Sequence, residues 1–253
     1  MTVPQLPGAT RNQALARGLH VLQMVVDEDA PLTGTEVARR LGVHQSSASR
    51  ILATLTEIGY LRKNDAGAFA PDYGVFALAS AATRVSLLRT ARGPIEAFAA
   101  DHPDFMLAMS MLWRDELIYL LRVRHGTETV TFWSGHFPFN VSVLALKLVL
   151  DLPEEEALEI LRASRRRDGW GGDPAVVADT EEGVLAAARE LLADDVLILE
   201  NWLAPHHIAG AIDLVTPEPH PVALALVDVT GSVGPDKLKV LLHQARRAVE
   251  QSF

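Results

Sequence analysis

Residues 33–59 read TGTEVARRLGVHQSSASRILATLTEIG, and this stretch decides the fold of the first part of the chain. Thr33 precedes Glu36 by three residues, which is the capping-box spacing that begins a helix. That helix is predicted to end at Leu41-Gly42, because glycine readily takes the left-handed conformation of a helix stop. A second helix is predicted after this turn, since apolar residues recur there at helical spacing. They are Ala48, Ile51, Leu52, Leu55 and Ile58.

The opposite face of this second helix carries short or hydrogen-bonding side chains, where a solvent-facing helix more often carries Glu–Lys pairs. These side chains are Ser46, Ser49, Arg50 and Ala53, with Gln45 and Ser47 beside the helix start. Groups of this kind allow a helix to enter the major groove and contact base edges. Upstream, a longer amphipathic helix is predicted to cover the pair. Its apolar face is formed by Leu15, Leu19, Leu22, Val25 and Val26.

Downstream, residues 60–63 and 68–70 flank the turn sequence Asn64-Asp65-Ala66-Gly67, which predicts a β-hairpin. Such a hairpin beside a helix-turn-helix is a wing, and Arg62 and Lys63 lie on it where phosphate contacts are expected. Helix-turn-helix patterns also arise by chance in helical bundles, and this alternative stays open for the two helices taken alone. The hairpin favours DNA binding over it.

Charge is distributed unevenly along the chain. The net charge is −9, yet the first 92 residues carry 10 Lys and Arg against 7 Asp and Glu, so the excess acid belongs to the remainder. This asymmetry is typical of a DNA-binding domain joined to an acidic second domain, because the attraction to phosphate is local to the basic face. The chain has no cysteine, no apolar run of about 20 residues and no apolar core in its N-terminal MTVPQLPGATRNQ. We therefore expect a cytoplasmic protein without disulfides, signal peptide or membrane span.

The run LTGTEVARRLGVHQSSASRILATLTEIGYL, residues 32–61, resembles the isocitrate lyase regulator (IclR) family of bacterial transcription factors. A short wing follows it, and then FAPDYGVFALASA, residues 69–81, where the family has a linker helix. The resemblance covers the whole chain in layout, more weakly beyond Ala100. It implies an α+β fold in three parts. These are a winged helix-turn-helix DNA-binding domain over 1–74, a linker helix over 75–90, and a GAF-like effector-binding and oligomerisation domain over 91–253.

The apolar pattern of the second part predicts helices around a mostly antiparallel sheet. Strands are predicted at Phe105–Trp113, Glu116–Arg124, Thr127–Ser134, Val196–Trp202, His207–Val215 and Val222–Thr230. Helices are predicted at Ile95–Ala99, Val141–Leu150, from Pro153 onward, Glu181–Leu192 and Asp236–Gln251. The linker helix is expected to end near Arg89, with a break at Gly93-Pro94. Arg165–Arg167, in the segment RRRDGWGGD, are expected in a solvated loop.

In the family, the loop and helix after the third strand help to enclose the effector. Gly135-His136-Phe137-Pro138 matches the start of that pattern, whereas the following residues are bulkier and Lys147 falls one position later than the family lysine. Carried over by position, Phe137, Val143 and Leu144 would be apolar walls of an effector pocket. The alternative is that these three side chains are ordinary core at the start of a helix.

The family's last strand ends in a polar-x-polar-Gly pattern whose polar side chains face the ligand. Asp228-Val229-Thr230-Gly231 matches it with an acid in the first position, which assigns Asp228 and Thr230 to the effector site. Asp228 either accepts a hydrogen bond from a hydroxyl, amide or ammonium group of the effector, or caps a turn or pairs with an arginine. One of these is required because an isolated buried charge is strongly penalised.

Three further side chains are candidates for the same site. His207 falls at an effector-contact position of the family, and its neighbour His206 should point to the other face of the strand. A histidine in the core is the alternative for His207. Arg122 and Arg124 share one face of the second strand, where they would hold a carboxylate or lie at a dimer edge.

These features together predict a ligand-responsive transcriptional regulator, a repressor of a catabolic operon, that binds operator DNA as a homodimer or a dimer of dimers. The expected effector is a small organic molecule, with a neutral or hydroxylated aromatic compound preferred because Asp228 would repel an anion. The chain carries none of the common catalytic sequence signatures, so we expect no enzyme, cofactor or metal. Two alternatives stay open: a second domain that only dimerises or binds a partner, and an unrecognised active site.

Overall fold

The computed structural model describes residues 12–28, 30–82, 85–133, 137–228 and 230–253. The chain divides into two compact units, Met1–Arg84 and Val85–Phe253. The first is a helix-turn-helix domain and the second is built around one large sheet with helices on both faces. No helix within the described ranges has the length and apolar character needed to cross a membrane.

The described residues of the first unit form four helices and a small antiparallel sheet. The helices are α1 Gln13–Val26, α2 Gly34–Leu41, α3 Gln45–Glu57 and α4 Tyr73–Ala82. The strands are β1 Leu32–Thr33, β2 Leu61–Lys63 and β3 Ala68–Pro71, in the order β1-β3-β2. Hairpin β2–β3 closes through Asn64, whose Oδ1 accepts the Ala68 N–H at 2.8 Å. The predicted helix-turn-helix and wing are both present.

Local signals define the ends of α2. The Thr33 N–H donates to Glu36 Oε2 at 2.8 Å and the Glu36 N–H donates to Thr33 Oγ1 at 3.3 Å, which is the reciprocal capping box. Gly42 ends the helix with φ +63°, in the left-handed region that favours glycine. Each cap satisfies backbone groups that the helix itself leaves unpaired, and such a cap contributes about 1 kcal/mol.

The apolar stripes of the first unit differ in part from those predicted. Leu15 and Leu19 are 60% and 59% exposed, because only the last turns of α1 reach the core of this unit, through residues such as Leu22 and Val25. Ile58 is 57% exposed, since it is the C-cap residue that leaves the axis of α3. On α3, the predicted apolar face is confirmed at Ala48, Leu52 and Leu55, which are buried.

In the second unit, the part of the chain that the structure describes forms a seven-stranded antiparallel sheet, five helices and a short 3-10 helix. The strands are β4 Phe105–Trp113, β5 Glu116–Arg124, β6 Val130–Trp133, β7 Leu192–Ala193, β8 Val196–Glu200, β9 Ile208–Leu214 and β10 Val222–Asp228. The helices are α5 Ser86–Asp101, α6 Val143–Leu150, α7 Glu154–Asp168, α8 Glu181–Leu191 and α9 Pro235–Glu250, with the 3-10 helix at Phe139–Val141. The sheet order is β6-β5-β4-β10-β9-β8-β7. Helices α6, α7 and α8 cover one face, and α5 and α9 cover the other.

The helices on either side of the boundary between the units were predicted incorrectly. Val85 is extended (φ −56°, ψ 132°) and caps α5, so the predicted linker helix to Arg89 is two helices, with residues 83–84 outside the described ranges. Helix α5 then continues through Gly93-Pro94 without the predicted break. An internal proline costs about 3 kcal/mol, and the face of α5 buried against the sheet offsets that cost. The buried residues are Leu87, Leu88, Ala91, Ile95 and Ala99.

The predicted loop at Arg165–Arg167 is also wrong, because these residues form the last turn of α7. Cations are favourable at a helix C-terminus, and Gly169 at φ +83° provides the stop. Arg165 stacks over the Trp170 ring at 4.5 Å, and Arg167 pairs with Asp168 at 2.9 Å. The arginine run is therefore a structural helix end.

Candidate functional site

The exposed face of α3 presents the side chains predicted for DNA contact. Gln45, Ser46, Ser49 and Arg50 are exposed and Ser47 is partly buried, opposite the residues that anchor the helix. The Gln45 Nε2 donates to Thr35 Oγ1 at 3.2 Å, which ties the start of α3 to the start of α2. The described residues offer Arg50 no ion-pair partner. The face combines short polar groups with one extended cation, a combination that fits a major groove.

The wing places two cations beside this face within the same unit. Arg62 and Lys63 are both exposed on β2. The Lys63 Nζ lies 5.6 Å from the centre of the Phe69 ring, so its stem packs on the hairpin while its charge faces solvent. An exposed cation on a rigid hairpin has the reach and the charge for a phosphate contact.

The second unit contains a cavity of about 170 Å³, partly open to solvent, between the sheet and the start of α6. Its floor consists of three small side chains on neighbouring strands, Ala108 on β4, Ala225 on β10 and Ala209 on β9. Ala108 and Ala225 are direct partners in the ladder. Larger side chains at these positions would fill the space, so the alanines create the cavity.

The wall and roof of the cavity come from the segment that precedes and begins α6. Phe137, Val141, Val143 and Leu144 provide apolar surface. Ser142 also lines the cavity and caps α6, since its Oγ accepts the Ala145 N–H at 3.2 Å. The cavity is therefore mainly apolar, with a few polar groups at fixed positions, as expected of a small-molecule site.

The polar groups of the cavity are Tyr119, Arg122, Ser142 and His207. Burial raises the pKa of Tyr119, against the opposing effect of its hydrogen bond with Ser142. Burial also lowers the pKa of His207, although the nearby Asp228 carboxylate partly offsets this. Both side chains are thus uncharged at neutral pH. The Arg122 Nε donates to the Met106 Sδ at 2.9 Å.

Asp228 and Thr230 are not among the residues that line the cavity. Asp228 is 4% exposed, and its carboxylate accepts N–H groups from Thr230 at 2.7 Å, Gly231 at 3.1 Å and Val233 at 2.8 Å. The Thr230 hydroxyl donates to the same carboxylate at 2.7 Å. Burial alone would raise the pKa of Asp228, but these hydrogen bonds outweigh it and lower the pKa. The carboxylate thus organises the loop that follows β10.

We expect Asp228→Asn to destabilise the second unit by about 1–3 kcal/mol, because the amide cannot accept all of these hydrogen bonds. The pKa of Asp228 is lower when folded than when unfolded. Its contribution is therefore present above the unfolded pKa, about 3.9, and is lost as the pH falls through the folded pKa. Chemical denaturation at pH 6 and pH 3 measures this difference. Asp104→Asn, at an exposed position of the same unit, is the control; equal stabilities of Asp228→Asn and wild type at pH 6 would contradict the assignment.

Residues 14–65, which run from the first turn of α1 into the turn after β2, match the IclR helix-turn-helix domain. The DNA-binding part of the chain is therefore a helix-turn-helix domain of the IclR type. No curated protein sequence matches it significantly. The family resemblance given by the helix-turn-helix run is thereby confirmed.

Solved IclR-type structures share the fold of the whole chain. A regulator of the IclR family from Brucella abortus is 21% identical, with a TM-score of 0.78, and the match covers 100% of this chain and 99% of that one. One from Silicibacter is 16% identical, with a TM-score of 0.72 and coverage of 94% and 95%. An IclR homologue from Microbacterium hydrocarbonoxydans, solved in complex with 4-hydroxybenzoate, is 18% identical, with a TM-score of 0.66 and coverage of 95% and 98%.

Of the IclR positions transferred from the family pattern, Phe137, Val143, Leu144 and His207 lie together around the cavity. Gly135-His136 lies outside the described residues. His206 is exposed, with φ +62°, so it does not share the direction of His207. Sequence reasoning did not assign Tyr119, Ser142 and Leu203, which also line the cavity.

Lys147, the displaced counterpart of the family lysine, does not reach the cavity. Its side chain is buried beneath α6, where Nζ donates to Asp151 Oδ2 at 3.2 Å and to Asp213 Oδ2. Burial raises the pKa of Asp213, while Lys147 lowers it. This pair joins α6 to β9 and so supports the helix whose first turn forms the cavity roof.

Proposed function

We propose that this protein is an IclR-family repressor of a catabolic operon, that it binds operator DNA through α3 and the wing, and that a small organic effector in the 170 Å³ cavity controls this binding. The cavity is the observation that carries the proposal. Its volume is close to the roughly 150 Å³ of an apolar protein cavity that holds benzene. A molecule with a single ring is therefore the expected effector, and the 4-hydroxybenzoate complex of the Microbacterium homologue supports this size and class.

Operator recognition is proposed to involve Gln45, Ser46, Ser47, Ser49 and Arg50 at base edges, with Arg62 and Lys63 at phosphates. A homodimer, or a dimer of dimers, would place two copies of α3 in successive major grooves, about 34 Å apart, and would read a near-palindromic site. Helices α4 and α5 follow each other in the chain where the first unit ends and the second begins. Effector binding is proposed to act through them and to favour one arrangement of the two DNA-binding units of the dimer. The protein is expected to act in the cytoplasm and to catalyse no reaction.

The effector contacts are proposed to come from Phe137, Val143, Leu144 and His207, which surround the cavity. Asp228 and Thr230 would act through the loop that follows β10. Asp228, at the end of β10, lies close enough to His207 to influence the pKa of that histidine. A dimerisation module without a ligand would need no such space between its sheet and helices. The alanine floor therefore favours an effector-binding domain over a domain that only dimerises.

Fluorescence anisotropy on duplex DNA from the region upstream of the protein's own gene tests this function. We expect sequence-dependent binding that weakens steeply with salt, because phosphate contacts release counterions. We also expect 4-hydroxybenzoate to lower the operator affinity, as an inducer of a repressor does. Equal affinity for scrambled DNA by a protein that is shown to be dimeric would overturn operator recognition.

A further inference from the structure

Gln45 is the first residue of α3, and its side chain is held by a residue of the preceding helix. The Gln45 Nε2 donates to Thr35 Oγ1 of α2 at 3.2 Å, and both side chains are exposed. The Gly42 turn lies between the two residues in the chain. The bond therefore joins the two helices of the helix-turn-helix at the surface, beside the exposed face of α3.

This bond uses only part of the hydrogen-bonding capacity of the Gln45 amide. A primary amide has two N–H donors on its nitrogen and an acceptor oxygen. Thr35 takes one N–H, and among the residues that the structure describes none takes the second N–H or donates to Oε1. The bond thus restricts the orientation of the amide and leaves one donor and one acceptor, side by side, facing solvent.

The free donor and acceptor of Gln45 match one base edge of the major groove. Adenine presents its N7 acceptor beside its N6 amino donor, and a glutamine amide pairs with both at once. Guanine presents two acceptors there, thymine an acceptor and cytosine a donor, so none of these bases pairs with both amide groups. In a docked helix-turn-helix, the first residues of the second helix contact base edges, and Gln45 has this position.

Thr35 is itself held firmly in place. The capping box between Thr33 and Glu36 fixes the backbone on both sides of Thr35 at the start of α2. A long side chain loses rotamer freedom when it is fixed on a base, and restricting it before binding reduces that loss. The Thr35 hydroxyl therefore favours base contact by Gln45, because it holds the amide before DNA arrives.

We propose that Gln45 reads an adenine of the operator and that Thr35 is the positioning residue that strengthens this preference. One Gln45 N–H stays on Thr35 Oγ1, the other donates to adenine N7, and Oε1 accepts from the adenine amino group. Thr35 acts through the Gln45 amide and does not contact the base. This assignment rests on the proposed function, since it names the base that operator recognition selects through the start of α3.

A base analogue tests the adenine contact. The full-length protein would select duplexes from a randomised library, and anisotropy would measure its affinity for the selected sequence. The wild type should enrich an adenine at a position where Gln45→Ala loses the enrichment. Replacing this adenine with 7-deazaadenine, which lacks the N7 acceptor, should weaken wild-type binding about 2- to 10-fold, as expected for one hydrogen bond. Gln45→Ala should bind both duplexes equally.

Variants of Thr35 test its positioning role. Thr35→Val removes the hydroxyl with little change in shape, so it should weaken the preference for this adenine about 2- to 10-fold and leave the other positions unchanged. Thr35→Ser keeps the hydroxyl and should keep the preference. In the Gln45→Ala background, Thr35→Val should have no further effect, because Thr35 acts only through Gln45. Thr56→Val is the matched control, since the Thr56 hydroxyl donates to the Leu52 carbonyl within α3 at 2.8 Å.

The outcomes separate the adenine contact, the role of Thr35 and operator recognition itself. Equal wild-type affinities for the adenine and 7-deazaadenine duplexes, or another base at the position that Gln45→Ala loses, would overturn the adenine contact; this measurement needs no variant of Thr35. An unchanged preference in Thr35→Val that thermal unfolding shows to be folded, or the same loss in the Gln45→Ala background, would overturn the positioning role. Sequence-selective binding would leave operator recognition standing in these cases. A wild type that selects no sequence would contradict operator recognition and this assignment together.

Discussion

Replacing Ala225 with leucine is expected to abolish the proposed binding of 4-hydroxybenzoate and, with it, the proposed effect of this compound on operator affinity. Ala225 is fully buried, and it lines the cavity floor on β10, the strand between β4 with Ala108 and β9 with Ala209. Leucine adds three carbon atoms that project into a space of about 170 Å³, which is sized for a single ring. The remaining volume would not hold the ligand, so we expect at least a 100-fold loss of affinity, equivalent to about 2.7 kcal/mol.

The stability of the protein should change less than its ligand affinity. Overpacking a core costs about 1–3 kcal/mol, but at Ala225 the new side chain enters open space and offsets part of that cost by apolar burial. Ala225→Ser, which adds one atom, is the control and should retain most of the binding. Calorimetry and thermal unfolding measure both quantities. Normal 4-hydroxybenzoate binding by a folded Ala225→Leu protein would place the effector elsewhere.

Much of the fold was predictable because its signals are local. The strands β4 and β5 have the predicted bounds, since their apolar and β-branched runs are separated by the turn at Arg114-Asp115. The capping box at Thr33 marks the start of α2, and the bounds of α9 differ by one residue at each end from those predicted. Each of these features depends on residues within one or two turns of the chain.

The features that were missed depend on tertiary contacts. Helix α5 tolerates Pro94 because burial against the sheet outweighs the lost hydrogen bond, and no local pattern reports that burial. Leu15 and Leu19 have helical spacing, yet they lie beyond the part of α1 that packs on the core of the first unit. Amphipathic periodicity identifies a helix reliably, but it does not show which turns of that helix are covered by neighbouring elements.

The candidate site illustrates the same division. Phe137, Val143 and Leu144 were transferred by position and do lie at the cavity, because the order of the elements fixes where α6 begins. The sequence did not place Tyr119 and Arg122 at one site, because residues three apart on a regular strand point to opposite faces. Both line the cavity because Leu120 is an extra residue of β5, opposite the step from Met109 to Ser110 on β4. The pairing with the partner strand determines such a one-residue shift in register, so the sequence of β5 alone does not reveal it.

Replacing Arg50 with alanine is expected to be the most damaging single change to operator binding. Arg50 is exposed on α3, where the polar side chains around it are short, so its guanidinium reaches furthest from the helix. An arginine that contacts a guanine contributes about 1–3 kcal/mol of discrimination, and a dimer would lose this contact in both half-sites. Anisotropy should show at least a tenfold weaker affinity for the operator and little change for scrambled DNA.

Two variants separate base recognition by Arg50 from simple loss of charge. Lys63→Ala removes an exposed cation from the wing and should weaken operator and scrambled DNA alike, with a salt dependence smaller by about one phosphate contact. Arg247→Ala removes a cation from the last turn of α9 in the second unit and should change neither affinity. If Arg50→Ala instead weakens both DNAs equally, Arg50 contacts phosphate and the bases are read by the serines and Gln45. If it weakens neither, the exposed face of α3 does not enter the groove, and the docking proposed for this helix is wrong.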